Sequence, residues 1–215
     1  MLKTNYYVIS ILFLIMFCIG LSCCTDNYAS ELINIDETII KKAYIDILRN
    51  NAKFIDRNEY IYLHEYLIDC SDDDYTAQVT QFTILNMDGD GNAEVVLQIM
   101  PGRFLLLFHY DNDKIYGYHF GMRSMGGLKK DGTFHWSSGA AYHGFSKLKF
   151  INGICEINEI GRYENYQNYI NGEQVSDDIY YSFQNEQFEK EDVGWHDFFG
   201  QTIIDDFDII WKKLN

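Results

Sequence analysis

The sequence predicts an α+β fold: an antiparallel β-meander of about seven to nine strands, with helices at its N- and C-terminal ends. Two observations carry that expectation. Asp111-Asn112-Asp113, Asp131-Gly132 and Asn152-Gly153 fall between short apolar runs, with no helical period between them. Asn-Gly and Asp-Gly suit hairpin turns, because both central positions need positive φ. Apolar stripes at helical spacing flank this stretch on both sides.

The chain opens on a processing segment rather than on fold. Lys3 supplies a small positive start, an apolar run extends from Tyr6 to Leu21, and polar residues begin at Thr25. These are the parts of a secretory signal, and the run falls short of the roughly 18–20 residues that span a bilayer comfortably. An uncleaved N-terminal anchor is the alternative. Ile19-Gly20-Leu21-Ser22-Cys23 resembles the lipobox of bacterial lipoproteins, which implies lipidation at Cys23 after removal of residues 1–22. That family prefers Leu three places before its cysteine. Gly20 stands there, whereas counting from Cys24 places Leu21 there instead. A diacylglyceryl cysteine carries two acyl chains, enough for stable anchoring.

Residues 23–34 read as a tether and 35–215 as a single α+β domain. Asp36 is an N-cap candidate for a first helix, whose stripe is Ile39, Ile40, Ala43, Tyr44, Ile47 and Leu48; Arg49 and Asn50-Asn51 close it. A weaker helical piece is expected from Arg57 to Leu67, ended by Ser71 to Asp74. Strands are expected over 81–85, 94–99, 104–110, 114–120, 128–130, 133–136, 147–151 and 154–157. Pro101 falls between two of them, where it removes no ladder bond. Ser176 begins a helix through Phe183. Thr202 and Asp205 cap a last one, with Ile203, Phe207, Ile210, Trp211 and Leu214 as its stripe.

The formal charge is −15, and removing the leading segment deletes Lys3 and no acid. Such an excess repels phosphate backbones and anionic head groups. Nucleic acid is therefore excluded as a partner, and membrane contact is expected through the lipid anchor only. Cys70 and Cys155 permit one disulfide outside the cytoplasm, or else are two buried thiols.

One segment carries metal chemistry. In Asn86-Met87-Asp88-Gly89-Asp90-Gly91-Asn92-Ala93-Glu94, oxygen ligands fall at positions one, three, five and nine: Asn86, Asp88, Asp90 and Glu94. The Asn92 carbonyl supplies position seven, and Gly91 permits the sharp turn. Calcium, a hard cation taking six to eight oxygens, suits such a loop. Position twelve is Leu97 rather than a bidentate glutamate, so the loop is no EF-hand. It resembles the calcium hairpin loops of integrin-type propeller repeats, with Asn for Asp at the first position and Glu for Asp at the ninth. The plain alternative is a hairpin turn rich in Asp and Gly, which turns favour anyway. In either case the expected role is structural.

Residues 85–97, then Lys130-Asp131-Gly132-Thr133-Phe134, Trp136-Ser137-Ser138-Gly139-Ala140-Ala141 and Lys190-Glu191-Asp192-Val193, resemble a family of uncharacterised exported proteins and lipoproteins of Clostridia-like bacteria. The resemblance runs from Phe82 to Phe198. It implies a compartment and a fold, and no activity.

Catalytic residues are not assigned. His135 to Gly144 offers two histidines and two serines, but no G-x-S-x-G elbow and no strand–turn–helix context. Asp73-Asp74, Asp177-Asp178 and Asp205-Asp206 are sequence neighbours, which cannot straddle a glycosidic bond. The expected function is a non-catalytic binding or interaction domain with an unidentified protein or glycan partner. The alternative is an extracytoplasmic hydrolase acting on cell-wall or other glycan. A pocket with two convergent ionisable groups favours the enzyme, and an aromatic groove favours the binder.

Overall fold

A computed structural model describes residues 37–101, 104–121, 123–199 and 202–214. The leading segment, Cys23, the tether and Asp36 lie outside them. Residues 43–215 form one unit; of the unit before it, 1–42, residues 37–42 are described. Among the described residues no helix is long and apolar enough to cross a membrane.

The α+β class holds. Helix α1 covers residues 37–48. Then follow β1 (Phe54–Asp56), β2 (Glu59–Ile61), α2 (Leu63–Asp69), β3 (Gln78–Leu85), β4 (Glu94–Met100), β5 (Phe104–Asp111) and β6 (Lys114–Phe120). The second half is β7 (Phe134–Gly139), β8 (Tyr142–Ile151), β9 (Ile154–Glu164), β10 (Gln167–Ile170), β11 (Glu173–Val175), α3 (Asp177–Glu189), β12 (His196–Asp197) and α4 (Thr202–Leu214). The meander is divided between two sheets. A seven-stranded sheet runs β12-β3-β4-β5-β6-β1-β2, and a five-stranded sheet runs β11-β10-β9-β8-β7. Strand β1 joins β6 in parallel, through Ile55 and Tyr116.

The sheets pack face to face. Leu85, Met87, Val96 and Leu107 of the larger sheet and its loop meet Phe134, Leu148 and Phe150 of the smaller one. The opposite face of the large sheet takes helices: Phe54 packs on Tyr66 and Phe108, Phe82 on Phe207, and Tyr44 on Trp211. Each such ring contributes about 1.5–3 kcal/mol when fully buried. The outer face of the small sheet takes α3, whose Phe183 meets Phe145 edge to face. Strand alternation sorts these residues, since successive side chains point to opposite faces.

Three local expectations are corrected. The helix foreseen from Arg57 begins instead at Leu63. Arg57 and Asn58 adopt φ of 47° and 72°, closing a β1–β2 hairpin in which Asp56 faces Glu59. Phe54-Ile55 and Tyr60-Ile61 bracket that turn as two short strands, and asparagine tolerates the left-handed region. The strand foreseen at 128–130 does not form. The Asp131-Gly132 turn is present, but Lys129 bridges to Asp192. Its buried ammonium donates to the Phe188 and Lys190 carbonyls and to Asp192, ending α3 with a cation as the helix dipole favours. Ser176 is the N-cap residue of α3, yet its hydroxyl makes no cap bond. The side chains of Thr202 and Asp205 lie outside the described residues. Asn165-Tyr166 and Asn171-Gly172 add two further positive-φ turns, extending the small sheet by β10 and β11.

Asp131 ties this region together. Its carboxylate accepts from Lys190 at 2.8 Å and lies 3.3 Å from Lys147. Burial raises its pKa, but the bonds from Lys190 and Thr133 outweigh that and hold it well below the usual carboxylate range. Cys70 and Cys155 are free thiols, each half-buried.

A candidate cation loop and an aromatic cleft

The loop between β3 and β4 starts from the pair Leu85 and Glu94. Gly89 and Gly91 take φ of 81° and 98°, turning the chain while Asx bonds hold its course. Asn86 Oδ1 accepts from the Gly89 N–H, Asp88 Oδ1 from the Asp90 N–H, and Asp90 Oδ1 from the Asn92 N–H. The structure thereby brings Asp88, Asp90 and Glu94 together, one oxygen of each within 4.8 Å of the others. Two ligands on one calcium at 2.3–2.6 Å can be up to about 5 Å apart, so the spacing fits one ion. Asn86 Oδ1 is likewise engaged by the Gly89 N–H, and the Asn92 side-chain amide donates to Asp90 Oδ2, while the Asn92 group expected at position seven is its backbone carbonyl.

The loop is not a free hairpin tip. Tyr44 of α1 donates its hydroxyl to the Ala93 carbonyl at 2.9 Å. The Phe150 N–H of the small sheet donates to Asp88 Oδ2 at 3.3 Å. Glu94 is fully buried, a rare position for a carboxylate. Its Oε2 accepts from the Met87 N–H at 2.7 Å and its Oε1 is 2.9 Å from His109 Nδ1. The His109 ring stacks on Phe150, with centroids 4.1 Å apart. Burial pushes the Glu94 carboxyl up to about 7, against the lowering effect of the bonds from His109 and Met87. A bound cation would offset that desolvation and favour the ionised form.

His109 and Tyr44 were not foreseen as part of this site. The signal for His109 lay in strand register: Val95 pairs with Phe108, so Glu94 and His109 fall on the next rung. Nothing local marks Tyr44, whose role depends on helix docking.

The segment from His135 to Gly144 is the β7–β8 hairpin. Its serines and histidines do not converge: Ser137 Oγ donates to the Gly139 carbonyl, while His143 stacks on Tyr163. His135 packs against Phe188, and burial with nearby Lys129 lowers its pKa. Around Trp136 the hairpin borders two clefts of about 380 and 490 Å³ that share Arg123, Trp136 and Ser137. Trp136 Nε1 donates to buried Ser146 Oγ, fixing the indole, and Tyr142 meets it edge to face at 4.9 Å. Glu159 is the one carboxylate lining either cleft among the described residues, and it is bound to Arg162 at 2.8 Å. Compared with family models, curated proteins and solved structures, the chain finds no match.

Proposed function

We propose that this is a lipid-tethered extracytoplasmic binding domain without catalytic activity, stabilised by a structural calcium ion in the 86–94 loop. The observation that carries the binding reading is the aromatic groove around Trp136, whose one lining carboxylate among the described residues is held by an arginine. A glycosidase of the usual kind needs a second carboxyl across the cleft. The test is co-sedimentation with purified cell-wall sacculi, with soluble reducing ends assayed in parallel. Retention without release supports the binder; release of fragments moves the assignment to the hydrolase.

Tethering rests on the lipobox-like residues before Cys23. Growth with an alkyne-tagged fatty acid is expected to label the protein, and Cys23→Ala to abolish the label. Loss with Cys24→Ala alone would move the anchor by one residue.

The calcium reading rests on the convergence of Asp88, Asp90 and Glu94. Residues 25–215, melted in EDTA and then at about 100 times the dissociation constant of calcium, should gain about 5–10 °C in midpoint. The Asp88→Ala/Asp90→Ala variant should show no gain. An equal midpoint with and without calcium leaves the loop as a turn.

A further inference from the structure

Arg123 lines both clefts beside Trp136, and among the described residues it makes no ion pair. It is exposed, in a chain of formal charge −15. Several basic residues near this sheet are engaged instead, Arg162 with Glu159 and Glu164, and Lys147 and Lys190 with Asp131. An uncommitted guanidinium at an aromatic groove is a receptor for a planar anion, since its donor fork matches a carboxylate. Beside it stand the held indole of Trp136, the Tyr142 ring, and the hydroxyls of Ser137 and Ser138. Flat amphipathic rings with hydroxyls suit a ligand having both apolar C–H faces and many polar groups.

The free-edge route to peptide binding is closed here. A peptide adding to β7 would need that strand's outer backbone groups. Gly126 and His135 already exchange both backbone bonds, at 2.8 and 2.9 Å, and the Ser137 N–H donates to the Arg123 carbonyl at 2.9 Å. The segment from Arg123 to Gly126 therefore covers the edge and presents the arginine at the groove.

We propose that the cleft pair around Trp136 binds a carboxylated oligosaccharide, with Arg123 taking the carboxylate and Trp136 the sugar face. This rests on the binding-domain reading above and names its ligand class. Two adjoining clefts sharing one tryptophan suit a short sugar chain rather than a single ring.

The probe is a trimer of galacturonic acid, compared with a neutral galactose trimer and an acidic tripeptide, each titrated calorimetrically into the full-length protein in detergent. The uronate trimer is expected to bind about tenfold more tightly than the neutral one, the equivalent of one charge-assisted contact. Arg123→Gln, at an exposed side chain, is expected to erase that preference while keeping the melting midpoint. Trp136→Phe, which retains an aromatic ring, is expected to weaken both sugars. Equal affinity of the two sugars, an unchanged preference in Arg123→Gln, tighter binding of the tripeptide, or no binding of either sugar at 10 mM overturns the proposal. Cleavage of the trimer, read as new reducing ends, would overturn the non-catalytic reading while leaving the site in place.

Discussion

Glu94→Leu is expected to destabilise the protein by about 3–5 kcal/mol in urea, because it breaks a fully buried polar cluster rather than removing volume. The leucine leaves two groups without partners, the buried Met87 N–H and His109 Nδ1, whose ring is covered by Phe150. Glu94→Gln is the control. Its oxygen can accept from Met87 while its amide donates to His109 Nδ1, provided the ring carries its proton on Nε2. The glutamine should therefore be much milder than the leucine. Equal effects of the two variants would mean that packing, and not hydrogen bonding, holds this corner.

The pH dependence of the metal-free protein follows from the same carboxyl. Its folded pKa, about 7, is raised above the ordinary glutamate value of 4.5 by burial. The folded state therefore binds the proton more tightly than the unfolded state. That contribution is present below pH 4.5 and is lost as pH rises through about 7. In EDTA the unfolding free energy should fall across that window, and Glu94→Gln should flatten the slope. Calcium, by favouring the ionised form, should flatten it too. A wild-type protein in EDTA with no slope between pH 4.5 and 7.5 would place Glu94 at an ordinary pKa.

This cluster marks where sequence reasoning stopped. The loop's carboxylates and glycines were legible because turn chemistry and oxygen spacing are local. The helix stripe of Tyr44, Ile47 and Leu48 and the hairpins at Asn112 and Asn152 were legible for the same reason. Glu94 was read as the loop's last ligand. Its burial depends on β5 supplying His109 and β8 supplying Phe150, 15 and 56 residues away along the chain. The split into two sheets was equally hidden, since hairpin signals fix which strands are neighbours and not where a meander folds over. Lys129 misled for a related reason. A lysine between Leu128 and the Asp131-Gly132 turn resembles a solvated strand position, yet here it is buried because the end of α3 offers it two carbonyls. In the groove, Trp136 serves two surfaces at once. Its ring leans on the core while its other side borders both clefts.

Gly132→Ala is expected to be strongly destabilising. Gly132 has φ of +78°, a region that costs an ordinary L-residue roughly 1–2 kcal/mol. A Cβ built there would lie 2.0 Å from the Met87 carbonyl oxygen and 2.8 Å from its carbonyl carbon. The obstacle is backbone, so no rotamer change relieves it, and the turn or the 86–94 loop must move. Met87 is itself fully buried, and its N–H is held by Glu94, which leaves the loop little freedom to yield. Strain and steric overlap together place the expected loss at about 3 kcal/mol or more, near 10 °C for a domain of this size. Gly89 provides the internal comparison. Its φ of +81° is nearly the same, but a Cβ there meets nothing within 4 Å. Gly89→Ala should therefore show the backbone term alone, about 1–2 kcal/mol. The difference between the two melts isolates the contact between the Asp131-Gly132 turn and Met87. If that contact positions the cation loop, Gly132→Ala should also weaken the calcium-dependent gain in midpoint, and equal midpoints for the two alanine variants would show that the turn and the loop do not constrain each other.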